Sequence, residues 1–429
     1  MVLFGVAVKK SALLTSFFIT GLLLVATNAQ ISNVAIANFS PYTVFLPAIV
    51  IKSNGSVTPE TEFINHTGNV YTLTSDIINY SLVIQRSNIT LDGKGRTLKG
   101  SYPSPYMIYS TGLSLDHVTN VTVRDLEITG FNDYDVFRIK SSSGSSIIRV
   151  KTSSIHLESS YANTIAESTI ASINMEYSEN NILIKNVIGK LYQFVSHNNL
   201  VTKNNITNLI VQFSDSNKYY ANNFLSPDNS FQYYSSNKES FWDNGSIGNY
   251  WSDYLARFPN ASEIGSSGIG NTPYAINNKA WINGELVEVT WIRSNIVDHY
   301  PLMAPFDEVA PSIKVILITN KSYDTSTVPL NFTINERASQ IAYSLDGKEN
   351  VTVMGNVTLT DLSNGLHDIT VYANDTFGNM GASETISFTV AVPEPFPVVP
   401  IAAASVAVAV AACAGLLLYR KRQREAEQA

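Results

Sequence analysis

Glu158 and Glu176 stand eighteen residues apart in a chain where four stretches superimpose at that spacing. If equal positions stack as neighbouring strands, the two backbones lie about 4.8 Å apart. Adjacent carboxylates raise one another's pKa. A carboxyl separation of roughly 5 Å is what a retaining glycosidase uses, one acid as nucleophile and the other as proton donor. That chemistry makes the pair the catalytic candidate of this sequence. Against it, the column continues with Phe194 and Gln212, and no substrate clamp is recognisable nearby. Two solvated acids on an exposed strand are the plainer outcome of the same spacing. Catalysis would also need the loop 133–145 to leave both side chains open in one outward groove.

Other chemistry is scarcer. The column Arg149, Glu167, Lys185 and Lys203 alternates sign at its start, which suits ion pairs laddered on an outer face, each worth about 0–1 kcal/mol. A lyase would set such a base beside bound calcium, and no acidic cluster of the needed density accompanies it. Copper sites use clustered His, Cys and Met. The six histidines, His66, His117, His156, His197, His299 and His367, are scattered, and His156 and His197 do not share a column. We therefore expect no metal site and no cofactor.

The surface candidates are aromatic. Tyr220, Tyr233, Tyr234, Trp242 and Trp251 could stack sugar rings, since flat apolar faces with polar edges suit carbohydrates. The competing expectation is that Trp242, Tyr250 and Trp251 plug the end of the fold. Tyr233 and Tyr234 are adjacent, and adjacent strand residues point to opposite sides.

The elements that must position these residues are written in the period. Asn163, Asn181, Asn199 and Asn217 fall in one column, and Ser160, Ser178, Ser196 and Ser214 in another. Ile155, Ile173, Leu191 and Leu209 make a third column, and Ile170, Ile188, Ile206 and Phe224 a fourth. A short fixed period with aliphatic columns is the signature of a β-solenoid. Stacked Ile and Leu fill its interior, and stacked Asn side chains can hydrogen-bond along the axis. The strict array runs over 145–224. The aromatics that follow would close an end that otherwise exposes strand edges.

The flanks bound the rest. Lys9 and Lys10, an apolar run to Ala26 and the small residues up to Ala29 read as a signal peptide over 1–29. The β-helix, with its opening coils and aromatic cap, spans 30–306. Seven short strand-like runs over 310–391 are what an Ig-like β-sandwich requires. A Pro-rich spacer occupies 392–397. Residues 398–419 carry no charge and are long enough to span roughly 30 Å of hydrocarbon as a transmembrane helix. The basic residues of the tail 420–429 mark a cytoplasmic end. The expected fold is thus all-β: a right-handed parallel β-helix, an Ig-like β-sandwich and one C-terminal transmembrane helix.

This places the protein in the cell membrane, single-pass, with its ectodomain outside. Fourteen Asn-x-Ser/Thr sequons, from Asn38 to Asn374, agree with that. The lone cysteine, Cys413, lies in the apolar run, so no internal disulfide can form. Without the charged residues of the leader and tail, 22 basic residues face 33 acidic ones, a net of −11. That argues against nucleic acid or anionic polymers as partners. The membrane, a glycan or a cell-envelope protein remain.

Several segments support a resemblance. Gly55-Ser56-Val57, Val70-Tyr71-Thr72-Leu73 and Ile89-Thr90-Leu91-Asp92-Gly93 resemble the opening of the NosD-like right-handed β-helix proteins of archaeal cell surfaces. Phe241-Trp242-Asp243-Asn244-Gly245, the run Gly248 to Tyr254, Gly268-Ile269-Gly270-Asn271 and Tyr300-Pro301-Leu302-Met303 are similar to the signature closing that domain. Residues 310–390 resemble the Ig-like module that often follows it. The chain departs from the family pattern at Asn271, where an acidic residue is usual, and at His299, where Asn is usual. Its repeats are also shorter. The resemblance implies a surface protein without demonstrated activity or, as in the founding members, a role in copper handling. Three functions therefore stand: a non-enzymatic surface binder, a polysaccharide lyase or hydrolase, and a copper-handling protein.

Overall fold

The computed structural model describes residues 43–101, 107–108, 110–131, 135–226, 231–234, 240–276, 279–282, 285–288, 296–394 and 398–426. Only the backbone is described for 43–44, 107–108, 231–234, 279–282, 285–288 and 398–404. The expected signal peptide lies outside these residues.

The protein is mostly β, and its largest body is a long stack of parallel strands. Ser146–Glu158, Thr169–Glu176, Val187–Phe194 and Asn205–Gln212 pair in sequence. Their register sets Ile155 against Ile173, Ile173 against Leu191, and Leu191 against Leu209. These four side chains are buried, so the columns read from the sequence do point inward. A second set, Thr164–Ala166, Ile182–Ile184, Leu200–Thr202 and Lys218–Tyr220, stacks with the same period. Earlier turns are longer. Equivalent positions are 32 residues apart at Asn88 and Asn120 and 24 apart at Val121 and Ser145. The segment expected as a loop over 133–145 contains a strand, Phe137–Lys140, that pairs with Ile155–Glu158. The coil therefore begins before the strict array does.

Three corners turn each eighteen-residue coil, and each uses a non-glycine residue at positive φ. One corner is Arg149, Glu167, Lys185 and Lys203 at 52–59°; the second is Ser159, Tyr177, Val195 and Phe213; the third is Ala162, Asn180, Asn198 and Ser216. Left-handed backbone is costly for L-residues, and stacking offsets it here. The corner amides of Glu167, Tyr177 and Asn180 donate to the next coil at Ile184, Phe194 and His197.

Buried polar ladders run up the inside. Asn163, Asn181 and Asn199 each donate Nδ2 to Oδ1 of the Asn one coil on, at 3.1–3.2 Å. Ser160, Ser178 and Ser196 do the equivalent from backbone N–H to the next hydroxyl. A second asparagine ladder, absent from the sequence reading, runs from Asn186 through Asn204 and Asn222 to Asn249.

Residues 313–390 form a mainly antiparallel β unit with its own core of Ile318, Val328, Leu330, Ile369, Val371 and Phe388. It meets the coil directly. Glu308 pairs with both Lys185 and Lys203, and Arg337 pairs with Glu263 at 2.6 Å. Val398–Ala426 is a helix. No helix among the described residues is long and apolar enough to cross a membrane.

Candidate functional site

Outward positions on the strands after the bend form parallel columns, because side chains alternate along a strand. One column is Lys140, Glu158, Glu176, Phe194 and Gln212; its neighbour is Arg138, His156, Asn174, Tyr192 and Ile210. Glu158 and Glu176 are thus true neighbours, as their spacing required. Their surroundings differ. Glu158 is held by Arg138 and by Lys140 Nζ, the latter at 3.0 Å. Burial alone lifts a carboxyl pKa; here the hydrogen bonds and charge of those two cations outweigh it and hold Glu158 below its ordinary value. Glu176 lies 3.9 Å from Nε2 of the buried His156, whose Nδ1 meets Asp135 at 2.7 Å. With its oxygens committed to two cations, Glu158 stays ionised near neutral pH and has no proton to give.

Above the acids the face turns aromatic. Phe194 packs against Tyr177 and Phe213 at centroid distances of 5.7 and 5.9 Å, both nearly perpendicular, and is almost coplanar with Tyr192 at 6.4 Å. Tyr177 is 55% exposed and Phe213 40%. Polar groups border the rings. Tyr192 Oη donates to Gln212 Oε1 at 3.3 Å, Lys190 Nζ sits 5.9 Å from the Tyr192 ring, and Asn174 lies one coil below. Asn208 Oδ1 is buried and accepts no hydrogen bond among the described residues. Sequence reasoning missed this strip because its column changes type from coil to coil. Only the exposed corner position, shared by Tyr177 and Phe213, signalled it.

The aromatic residues the sequence did single out lie elsewhere. Trp242 and Trp251 are each 1% exposed. Trp242 stacks on Tyr219 at 4.3 Å, and Trp251 is stacked between Phe224 at 4.4 Å and Tyr274 at 4.3 Å. They continue the inward columns and close the coil, so neither presents a ring to solvent. Tyr220 is half-buried in the outward column of Thr202. The backbone register places Tyr233 beside Val211 and Tyr234 beside Gln212; their side chains lie outside the described residues.

The cap also holds Asp298, which is fully buried. Its Oδ2 accepts from Asn249 N at 2.7 Å, Asn249 Nδ2 at 3.2 Å and Trp251 Nε1 at 2.9 Å, and its Oδ1 accepts from Tyr300 N at 3.1 Å. Burial drives its pKa up to about 7, against the pull of those bonds. Asn249, the last member of the second ladder, places Nδ2 on Tyr219 O and Trp242 O as well as on Asp298. In each earlier rung the backbone N–H meets the next Asn Oδ1; at Asn249 it meets the carboxylate instead. A Cβ at Gly248 would come 1.7 Å from Asp298 Oδ1, so only glycine fits beside it.

The ion-pair corner is also in place. Arg149 bonds Asp125 at 2.7 Å and reaches Glu167 at 3.5 Å, while Lys185 and Lys203 share Glu308 rather than each other's column. Among the described residues, one group could hold a hard cation: Asp307, Glu336 and Asp375, whose carboxylate oxygens lie within 4.8 Å of one another. Burial, then the charges of Asp307 and Asp375, raise the Glu336 pKa. No histidine belongs to it.

No family model matches this chain, and no solved structure matches it. Among curated proteins it is 38% identical over 95 residues to Halomucin of Haloquadratum walsbyi. That stretch is 20% of this chain and 1% of Halomucin.

Proposed function

We propose that this is a non-enzymatic surface protein: a right-handed parallel β-helix of NosD-like type, raised from the membrane on an Ig-like module and anchored by 398–419, that binds glycan or envelope protein. The observation that carries it is the contrast along one outward face. Glu158 at one end is neutralised by Arg138 and Lys140, whereas further along Phe194 is flanked by the exposed corner rings of Tyr177 and Phe213. A glycosidase needs a carboxylic acid kept protonated beside the nucleophile, and Glu158 is pushed the opposite way. The spread of the histidines supports no copper site.

The test is a glycan array probed with the full chain in detergent, run beside a turnover assay on the same polysaccharides. Binding without cleavage is the expected result. Cleavage that disappears in Glu158→Gln would instead establish the enzyme, and calorimetry showing tight copper binding would establish the third reading.

A further inference from the structure

Resting on that reading, we infer that the ligand is an uncharged, hydroxyl-rich polysaccharide laid along the coil axis over Tyr177, Tyr192, Phe194 and Phe213. Three observations lead there. These rings come from three successive coils and touch in one continuous strip, so a ligand that spans coils meets an aromatic ring, by face or by edge, at each step. Two of the rings, Tyr177 at 55% and Phe213 at 40% exposure, present apolar surface to solvent. Sugar rings carry an apolar face and a hydroxyl edge. The strip offers the complement: rings beneath, with amides of Asn174, Gln212 and Asn208 alongside.

Charge selects the class. The formal excess of acidic residues outside the leader and tail repels polyanions. The nearest carboxylates do not favour a polycation either: Glu158 is neutralised in place, and Glu176 has His156 beside it. No Asn-x-Ser/Thr sequon falls on the coils that supply Tyr177, Tyr192 and Phe194; the coil that supplies Phe213 carries one, at Asn205, at the far end of its strand.

The experiment uses the full chain in detergent and isothermal titration with galactomannan, an uncharged probe, and with polygalacturonate, an anionic one. Galactomannan should bind and polygalacturonate should not. Phe213→Ser and Tyr177→Ser, both at exposed corners, should each weaken galactomannan binding about tenfold, the size of one lost aromatic contact. Val187→Ser, exposed on a different part of the coil, should leave it unchanged. Thermal melts confirm that the variants fold. Preference for polygalacturonate overturns the ligand class. Galactomannan binding untouched by Phe213→Ser and Tyr177→Ser overturns the site while leaving glycan binding intact. No glycan binding, with an envelope protein captured by the wild type and lost in Phe213→Ser, overturns the proposal in favour of a protein interface.

Discussion

The regular coils and their cap bury polar groups by opposite strategies. Within the coils, each asparagine repeats the hydrogen bonds of the one below it, donating to and accepting from copies of itself. In the cap, a single carboxylate gathers four donors from three residues, two of them nearly fifty positions away and one its near neighbour. A repeat solves the satisfaction problem once and copies the answer; an end must solve it uniquely. Stability should therefore be more sensitive to one cap residue than to any one rung.

The sharpest way to break that comparison is Asp298→Ala. It strands Asn249 N, Trp251 Nε1 and Tyr300 N in the core, while Asn249 Nδ2 keeps Tyr219 O and Trp242 O. At about 1–3 kcal/mol for each buried unsatisfied group, the loss should exceed about 3 kcal/mol in urea unfolding followed by tryptophan fluorescence. All four tryptophans precede residue 292, so the signal reports the coil and cap and not the unit over 313–390. A loss below about 1 kcal/mol would mean the aromatic stack alone closes the coil.

The same carboxylate gives a pH signature. Its folded pKa is about 7 against an ordinary 3.8, so between those values the native state keeps a proton that the unfolded chain has lost. Stability then falls as pH rises through that window, by up to about 1.4 kcal/mol per pH unit, and levels off above it. Carboxylates held low by cations, such as Asp92 and Glu158, act the other way and only at lower pH, where protonation removes their pairing. His367, raised by its bonds to Ser363 and Asp346, also loses stability with rising pH, but it lies outside the tryptophan signal. The urea midpoint should be higher at pH 5 than at pH 8 in the wild type, and Asp298→Asn should flatten the difference. An unchanged slope in that variant would assign the effect to another group.

Asn204→Ala tests the repeating side. It removes the acceptor of Asn186 N and Nδ2 and the donor to Leu183 O and Thr202 O. We expect about 2–3 kcal/mol, less than Asp298→Ala. The reverse order would show that the rungs act as a cooperative chain whose middle matters more than its end.

What the sequence made legible follows the same division. Ile173 and Leu191 could be placed inward because a strict period leaves no other way to stack them. Asn186, Asn204 and Asn222 obey that period too, but their ladder gains its meaning from Asn249, 27 residues on, and from Asp298, another 49 beyond it. No spacing rule reaches that far. The strand Phe137–Lys140 keeps the eighteen-residue spacing to Ile155–Glu158 but lies 24 residues from the strand before it, so the array read from the sequence stopped short of it. Trp242 and Trp251 were readable both as sugar-stacking rings and as a plug for the coil's end; their stacking on Tyr219 and Phe224 decides for the plug. On the outer face, Glu158 and Glu176 were correctly paired, yet the cations that disarm Glu158 came from that unseen strand.

The smallest expected effect concerns that disarmed acid. Glu158 is partly exposed and its partners Arg138 and Lys140 remain solvated in part, so its ion pairs contribute about 1 kcal/mol or less. Glu158→Gln keeps the shape and the hydrogen-bonding oxygen but removes the charge that the two cations compete for. Unfolding should shift by no more than that amount, and galactomannan binding on the strip two coils away should not change. A large destabilisation would mean the pair is effectively buried and that Arg138 cannot be left unmatched. A large change in binding would mean the charged and aromatic ends of the column form one site, with Glu158 accepting from a sugar hydroxyl.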